Sequence, residues 1–311
     1  MALAATCGWC GTTFDPGVQP TCPRCGAPPG QAIETTHGGW IETPALSPNT
    51  TIQMGRSQAR IEGDQNPVLF CGLAEGDRIS FGHKNLLWMD PTLRMDSVKT
   101  GSSAAAILTE VPWRQIVTTG PGELGLAAGQ AGELGVLPMD PGAAVVARPP
   151  ALLAAAVGLD VSLVPGPISY WEKDDDSTVQ RFPMGRYLVQ LSASTMPSVA
   201  FVVAKGDLNV RRLEVDQPLL VHPASVAWFD ASVRWRACVE LLRGRQGAFY
   251  TGFAGFALGN RTWVGPGTVL WAEAFGPGRI AISTAHFSAS VPAARTRYLI
   301  DRRVTSELSW D

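Results

Sequence analysis

The chain has 311 residues, 45% hydrophobic and 17% charged, with 25 basic against 27 acidic residues and a net charge of -2. That balance excludes a disordered chain and a polybasic binder of nucleic acid or anionic membrane. The length allows about two domains and a large buried core.

The chain opens MALAATCGWC, without the basic stretch of a secretory signal, and runs directly into Cys7-x2-Cys10 and then Cys22-x2-Cys25. Two such pairs a dozen residues apart turn four sulfurs toward one tetrahedral ion, so Cys7, Cys10, Cys22 and Cys25 are the expected ligands of a Zn2+ ribbon over residues 1–30. Gly11 and Gly26 follow the second ligand of each pair, where the knuckle bends back. Ligand type leaves a rubredoxin-like iron site open, whereas two disulfides are disfavoured by the CxxC spacing without an export signal. Trp9, Phe14 and a few alanines are too little core for a ribbon to fold alone, so the metal supplies folding free energy. A closed shell of four thiolates has no position for substrate; the zinc is structural, not catalytic. Reduced thiols point to the cytoplasm.

Residues 31–55 are rich in Pro, Gly, Thr and Ser without a sustained period, and are expected to be a linker whose Trp40 can dock on a neighbouring surface. On that reading residues 1–40 are removable without unfolding the β region beyond them.

From residue 56 to 290 short apolar runs recur every 8 to 12 residues between Gly, Pro and Asp, the punctuation of an all-β fold. Gly120-Pro121-Gly122, Gly265-Pro266-Gly267 and Gly276-Pro277-Gly278 mark tight turns. Ala237 to Arg243 and Ala293 to Leu308 are the two stretches that can be helical, the second within a C-terminal tail, 291–311. The longest apolar run, Ala143 to Leu159, is broken by Arg148, Pro149 and Pro150 and cannot span a bilayer. Cys71 and Cys238 sit beside apolar residues and are expected to pack as small hydrophobes.

The segment LAEGDRISFGHKNLLWMDPTLRM from Leu73 aligns with stretches from Met139 and Leu213. Trp88 and Trp228, Asp90 and Asp230, and Arg94 and Arg234 share an offset of 140, and Gly76 aligns with Gly142 at 66. Three copies of a strand-turn-strand unit are expected, at about 56–130, 131–205 and 206–290, packed side by side because one alone cannot bury its apolar face.

GRSQARIEG at Gly55, the Leu73 segment, GPGELGLA at Gly120, PMGRYLVQLSA at Pro183, LLVHPASVAWFD at Leu219 and GPGRIAIS at Gly276 together resemble the altered-inheritance-of-mitochondria (mitochondrial biogenesis) family. That family is similar in fold to the tryptophan RNA-binding attenuation protein. The resemblance implies a triplicated antiparallel β-sandwich that forms symmetric homo-oligomers, to which the ribbon is an addition. It implies no settled activity.

No catalytic motif emerges. His37, His83, His222 and His286 are scattered, without HxH or HExxH spacing; phosphate-loop and nucleophile-elbow patterns are missing, and no GxGxxG run leads from a strand into a helix as a dinucleotide site requires. His83 nearly aligns with His222, Asp174-Asp175-Asp176 reads as a solvated run, and Asp90 and Asp230 read as acceptors of backbone N–H groups in turns. The chain is therefore expected not to be an enzyme. With four lysines overall and Arg24 as the ribbon's one basic residue, nucleic acid is disfavoured. The expected function is a noncatalytic assembly or scaffold protein whose ribbon recruits a protein partner; the alternative is a small-ligand or RNA-binding protein using clefts between the repeats.

Overall fold

The computed structural model describes residues 4–29, 35–36, 40–41, 50–63, 66–98, 115–129, 131–174, 177–241, 257–258, 261–264, 268–287, 298–301 and 305–306. His37, Gly265 to Gly267, Asp175 and Asp176 lie outside them. Among the described residues the fold is all-β, broken by single 3-10 turns at His83–Asn85, Pro149–Ala151 and Pro223–Ser225, and no helix is long and apolar enough to cross a membrane.

The ribbon contributes β1 (Ala5–Thr6) and β2 (Thr13–Phe14). The expected linker contributes β3 (Thr35–Thr36), β4 (Trp40–Ile41) and β5 (Thr51–Met54), followed by β6 (Ser57–Glu62). Next come β7 (Val68–Leu73), β8 (Arg78–Gly82), β9 (Leu86–Met89), β10 (Arg94–Val98), β11 (Gln115–Thr119) and β12 (Gly122–Ala127). The chain continues through β13 (Leu134–Met139), β14 (Ala144–Ala147), β15 (Leu152–Ala156), β16 (Leu159–Pro165), β17 (Tyr170–Asp174), β18 (Ser177–Arg181), β19 (Tyr187–Ala193) and β20 (Ser198–Val203). The last group is β21 (Leu208–Leu213), β22 (Pro218–Val221), β23 (Val226–Asp230), β24 (Arg234–Leu241), β25 (Ala257–Leu258), β26 (Arg261–Val264), β27 (Thr268–Phe275), β28 (Gly278–Ser283), β29 (Tyr298–Asp301) and β30 (Thr305–Ser306).

One pairing pattern recurs. The run β7-β12-β9 returns as β13-β20-β15 and as β21-β28-β23, and the run β10-β11-β8 returns as β16-β19-β14 and as β24-β27-β22. Two lateral joins fuse these runs. β8 pairs with β15, with Phe81 opposite Ala154, and β14 pairs with β23, with Ala147 opposite Trp228. The results are a central six-stranded sheet and an eight-stranded one, flanked by a five-stranded sheet ending at β9 and a four-stranded sheet ending at β22.

Side-chain alternation decides which core each residue enters. In β20, Val199, Phe201 and Val203 enter one core with Leu69, Leu124 and Leu126, whereas Ala200 and Val202 enter a second with Leu191 and Val210. A third core lies on the opposite face of the eight-stranded sheet, with Val146, Leu188 and Ile280 meeting Ala272 and Ala274 of β27. Strands such as β15 and β20 are therefore buried on both faces, which explains their unbroken apolar sequences.

The two stretches expected to allow helix differ. Ala237 to Leu241 lie in β24, held by an eight-residue antiparallel ladder to β27, and within the tail β29 and β30 are strands. Cross-strand hydrogen bonding outweighs the modest local helix propensity there. The linker is not a free tether either: β4 extends the edge of β21, where the Arg211 guanidinium lies 5.4 Å from the centre of the Trp40 ring.

Candidate metal centre

Both halves of the ribbon close in the same way. Cys7 N–H donates to the Thr12 carbonyl and Gly11 N–H to that of Cys7; correspondingly, Cys22 N–H donates to Ala27 and Gly26 N–H to Cys22. The fourth residue after each leading cysteine must adopt a left-handed backbone, and glycine fills both places, with φ of 71° at Gly11 and 78° at Gly26. Each turn brings the two cysteines of its pair to one side.

The four Sγ atoms lie within 4.8 Å of one another. Cys7 and Cys25 sulfurs are 3.5 Å apart and those of Cys10 and Cys22 3.6 Å, too far for disulfides and near the roughly 3.8 Å separation set by tetrahedral coordination at about 2.3 Å. The donor set therefore fits a tetrahedral, thiophilic ion. Cys7, Cys22 and Cys25 are buried and Cys10 half-buried.

Electrostatics inside the cluster are uneven. Hydrogen bonds from the Cys22 and Cys25 thiols, and then from Thr12, hold the Cys10 pKa far below the thiol range, and the same Cys10 contact pushes Cys22 and Cys25 up. A cation at the centre of the four sulfurs favours their ionised form, so metal binding and thiol deprotonation are linked.

The ribbon is docked, which corrects the expectation of an independent unit on a tether. Phe14, Cys7, Cys22, Cys25 and Ala27 belong to the same buried cluster as Leu134, Val136 and Phe201. Trp9 packs against two of the three cores, and with Cys25 it lines a narrow cavity over Val136, Leu137, Val202 and Trp228. Polar contacts fix the orientation: Gln53 N–H donates to the Pro23 carbonyl, and the Arg24 guanidinium pairs with Asp140 at 2.7 Å. Sequence spacing picked out the four cysteines that the fold brings together but gave no sign of this docking, since Trp9 and Phe14 read as the ribbon's own core.

The other candidate groups do not converge on the metal centre. Asp90 accepts the Glu123 N–H and Asp230 accepts the Arg279 N–H, both at turns. Cys71 is buried, and desolvation pushes its pKa above the ordinary thiol range. His83 opens a 3-10 turn, while His222 stacks on His286 with ring centres 4.2 Å apart and 5° between planes. This pair, 64 residues apart in sequence, had no local signal. Beside it is Arg148, buried, donating to the Pro183 and Pro223 carbonyls and lying 5.6 Å from the Phe287 ring centre. Desolvation lowers the Arg148 pKa to about 10.

Residues 59–273 match the model of the mitochondrial biogenesis AIM24 family. The chain belongs to that family. The AIM24 match begins within β6, so the ribbon precedes the matched region. An X-ray crystal structure of protein SPYM3_0169 from Streptococcus pyogenes is similar in fold, with a TM-score of 0.52 and 13% identity, over 74% of this chain and 94% of that one. None of the curated proteins matches the chain in sequence. The AIM24 assignment and the all-β fold thus agree with the resemblance read from the segments between Gly55 and Ser283.

Proposed function

We propose that this AIM24-family chain is a noncatalytic assembly protein, in which a β scaffold self-associates and a structural zinc ribbon, fixed rigidly to it, presents a loop to a protein partner. The observation that carries this reading is the docked, largely buried cluster of four thiols: a tetrahedral ion held by all of them keeps no position for substrate, and its effect is to shape the surface around it. On that surface the loop after Asp15 is held by an Asx turn, Gly17 N–H to the Asp15 carboxylate at 2.9 Å, and projects the exposed Val18. An apolar side chain on a rigid turn costs little ordering entropy on binding.

Protein is favoured over RNA as the partner because Arg24, Arg56, Arg60, Arg234, Arg236 and Arg279 each pair with a carboxylate, which reduces the charge offered to phosphates. Reduced, metal-ready thiols favour a reducing compartment such as the cytoplasm.

The test joins elemental analysis, light scattering and capture. One zinc per chain, assembly beyond the monomer, and a captured protein lost with Val18→Asp are the expected results; a metal-free ribbon or a strict monomer would sink the reading. A second reading, small-ligand binding, rests on a cleft of about 220 Å³ between the second knuckle and the core, lined by Met54, Val157, Met196 and Val199. Thermal shift against a metabolite library addresses it.

A further inference from the structure

The two lateral joins between strand runs have the same register. In one, Phe81, Ser80 and Ile79 stand opposite Ala154, Ala155 and Ala156. In the other, Ala147, Val146 and Val145 stand opposite Trp228, Phe229 and Asp230. Advancing the first set by the offset of 66 carries Phe81 to Ala147, and the offset of 140 carries Trp88 to Trp228, so each join uses corresponding residues. The same offsets define a third join that, among the described residues, the chain does not make with itself. Its two strands are β22 and β9, and each is an edge strand of its sheet.

Exposure shows what β9 lacks. Leu87 is 57% exposed, whereas the corresponding Leu153 and Ala227 are at 0%; Trp88 is 39% exposed, whereas Ala154 is at 0% and Trp228 at 1%. The inner edge of β9 is satisfied by β12, and Trp88 leans on Gly125 and Phe70, so its strand is already built. What differs is the other side, where no described strand pairs with β9. β22 has the complementary open edge: it pairs with β27 on one side, and Leu219 and Leu220 remain half-exposed. Pro218, which has no N–H to give, falls outside the three positions that the other joins use.

We infer that β22 of one copy of this chain adds to β9 of a second copy, with Val221 opposite Trp88, Leu220 opposite Met89 and Leu219 opposite Asp90. This deepens the proposed self-association, on which it rests, by naming the surface. The contact joins two different strands head to tail, so every copy keeps one donor and one acceptor edge until a ring closes. Burying Trp88 and Leu87 would bring them to the state their counterparts already have, and main-chain bonds of the added strand would fix the register.

The experiment uses the full chain. Light scattering across a concentration series is compared for wild type, Leu87→Glu and Leu220→Glu, with circular dichroism confirming the fold; each charge should raise the half-association concentration by roughly tenfold or more. In parallel, Trp88→Cys and Val221→Cys proteins are oxidised separately and mixed, and peptides are mapped by mass spectrometry. A linkage between positions 88 and 221 that forms only in the mixture supports the inference. If wild type assembles but neither the charges nor the mixture has an effect, self-association stands and this interface is wrong. A strict monomer removes both, and an 88–221 link within a single chain carrying both cysteines overturns the intermolecular pairing.

Discussion

His222 is half-buried, with His286 stacked on its face and within the electrostatic reach of the buried Arg148 guanidinium. Burial first, then the charges of His286 and Arg148, lowers its pKa below the ordinary value of 6.5. Between that lowered value and about 6.5 the unfolded chain binds more protons than the folded one, so stability present above pH 6.5 is lost as pH falls through the folded pKa. Urea unfolding at pH 7.5 and 5.5 should show this loss, and His222→Gln should flatten it; an unchanged slope in the variant would place the pH dependence elsewhere. At the proposed zinc site, Cys22→Ser removes a fully buried sulfur from the four-sulfur set. Affinity for zinc should fall by at least about tenfold, read by competition with a chromophoric chelator.

At the scale of elements, the Gly-Pro-Gly turns show how a correct local reading can have a different cause. Gly120 and Gly276 sit where the strand after β11 and after β27 turns back, as their sequences suggest. The constraint is close approach: a Cβ at Gly276 would lie 2.0 Å from the Glu214 carbonyl oxygen, and one at Gly120 would lie 2.3 Å from that of Ala74. Both obstacles are backbone, which cannot swing aside like a side chain. Gly276→Ala should cost about 2 kcal/mol or more by chemical denaturation; a neutral result would mean that the turn between β21 and β22 yields easily. β24 shows the opposite case, in which local helical preference is overridden because eight residues find partners on β27.

For the whole molecule the docking of the ribbon matters most. Its cysteines, Phe14 and Ala27 share a core with Leu134 and Val136, and Arg24 is tied to Asp140. Metal removal should therefore reach beyond the ribbon. A high-affinity chelator is expected to lower the melting temperature of the entire β structure by about 5 °C or more, seen by calorimetry, because apolar surface beneath Trp9 becomes wet. Deleting residues 1–30 should do the same. A core transition unmoved by both treatments would show that the contacts between ribbon and core contribute nothing to stability.

What was legible in the sequence is what short stretches of chain decide for themselves. Two CxxC-Gly knuckles carry their own turn geometry, period-2 apolar runs identify strands, and Trp88 and Trp228 betray a shared pattern because side-chain identity persists at a constant offset. Only the folded chain decided which strands meet: β8 finds β15 and His222 finds His286 across tens of residues, and Trp9 leaves the ribbon to cover the neighbouring sheet. The physical reason is that a pair of strands or a docked surface is selected by the complementarity of two distant faces, and neither face exists until both have folded.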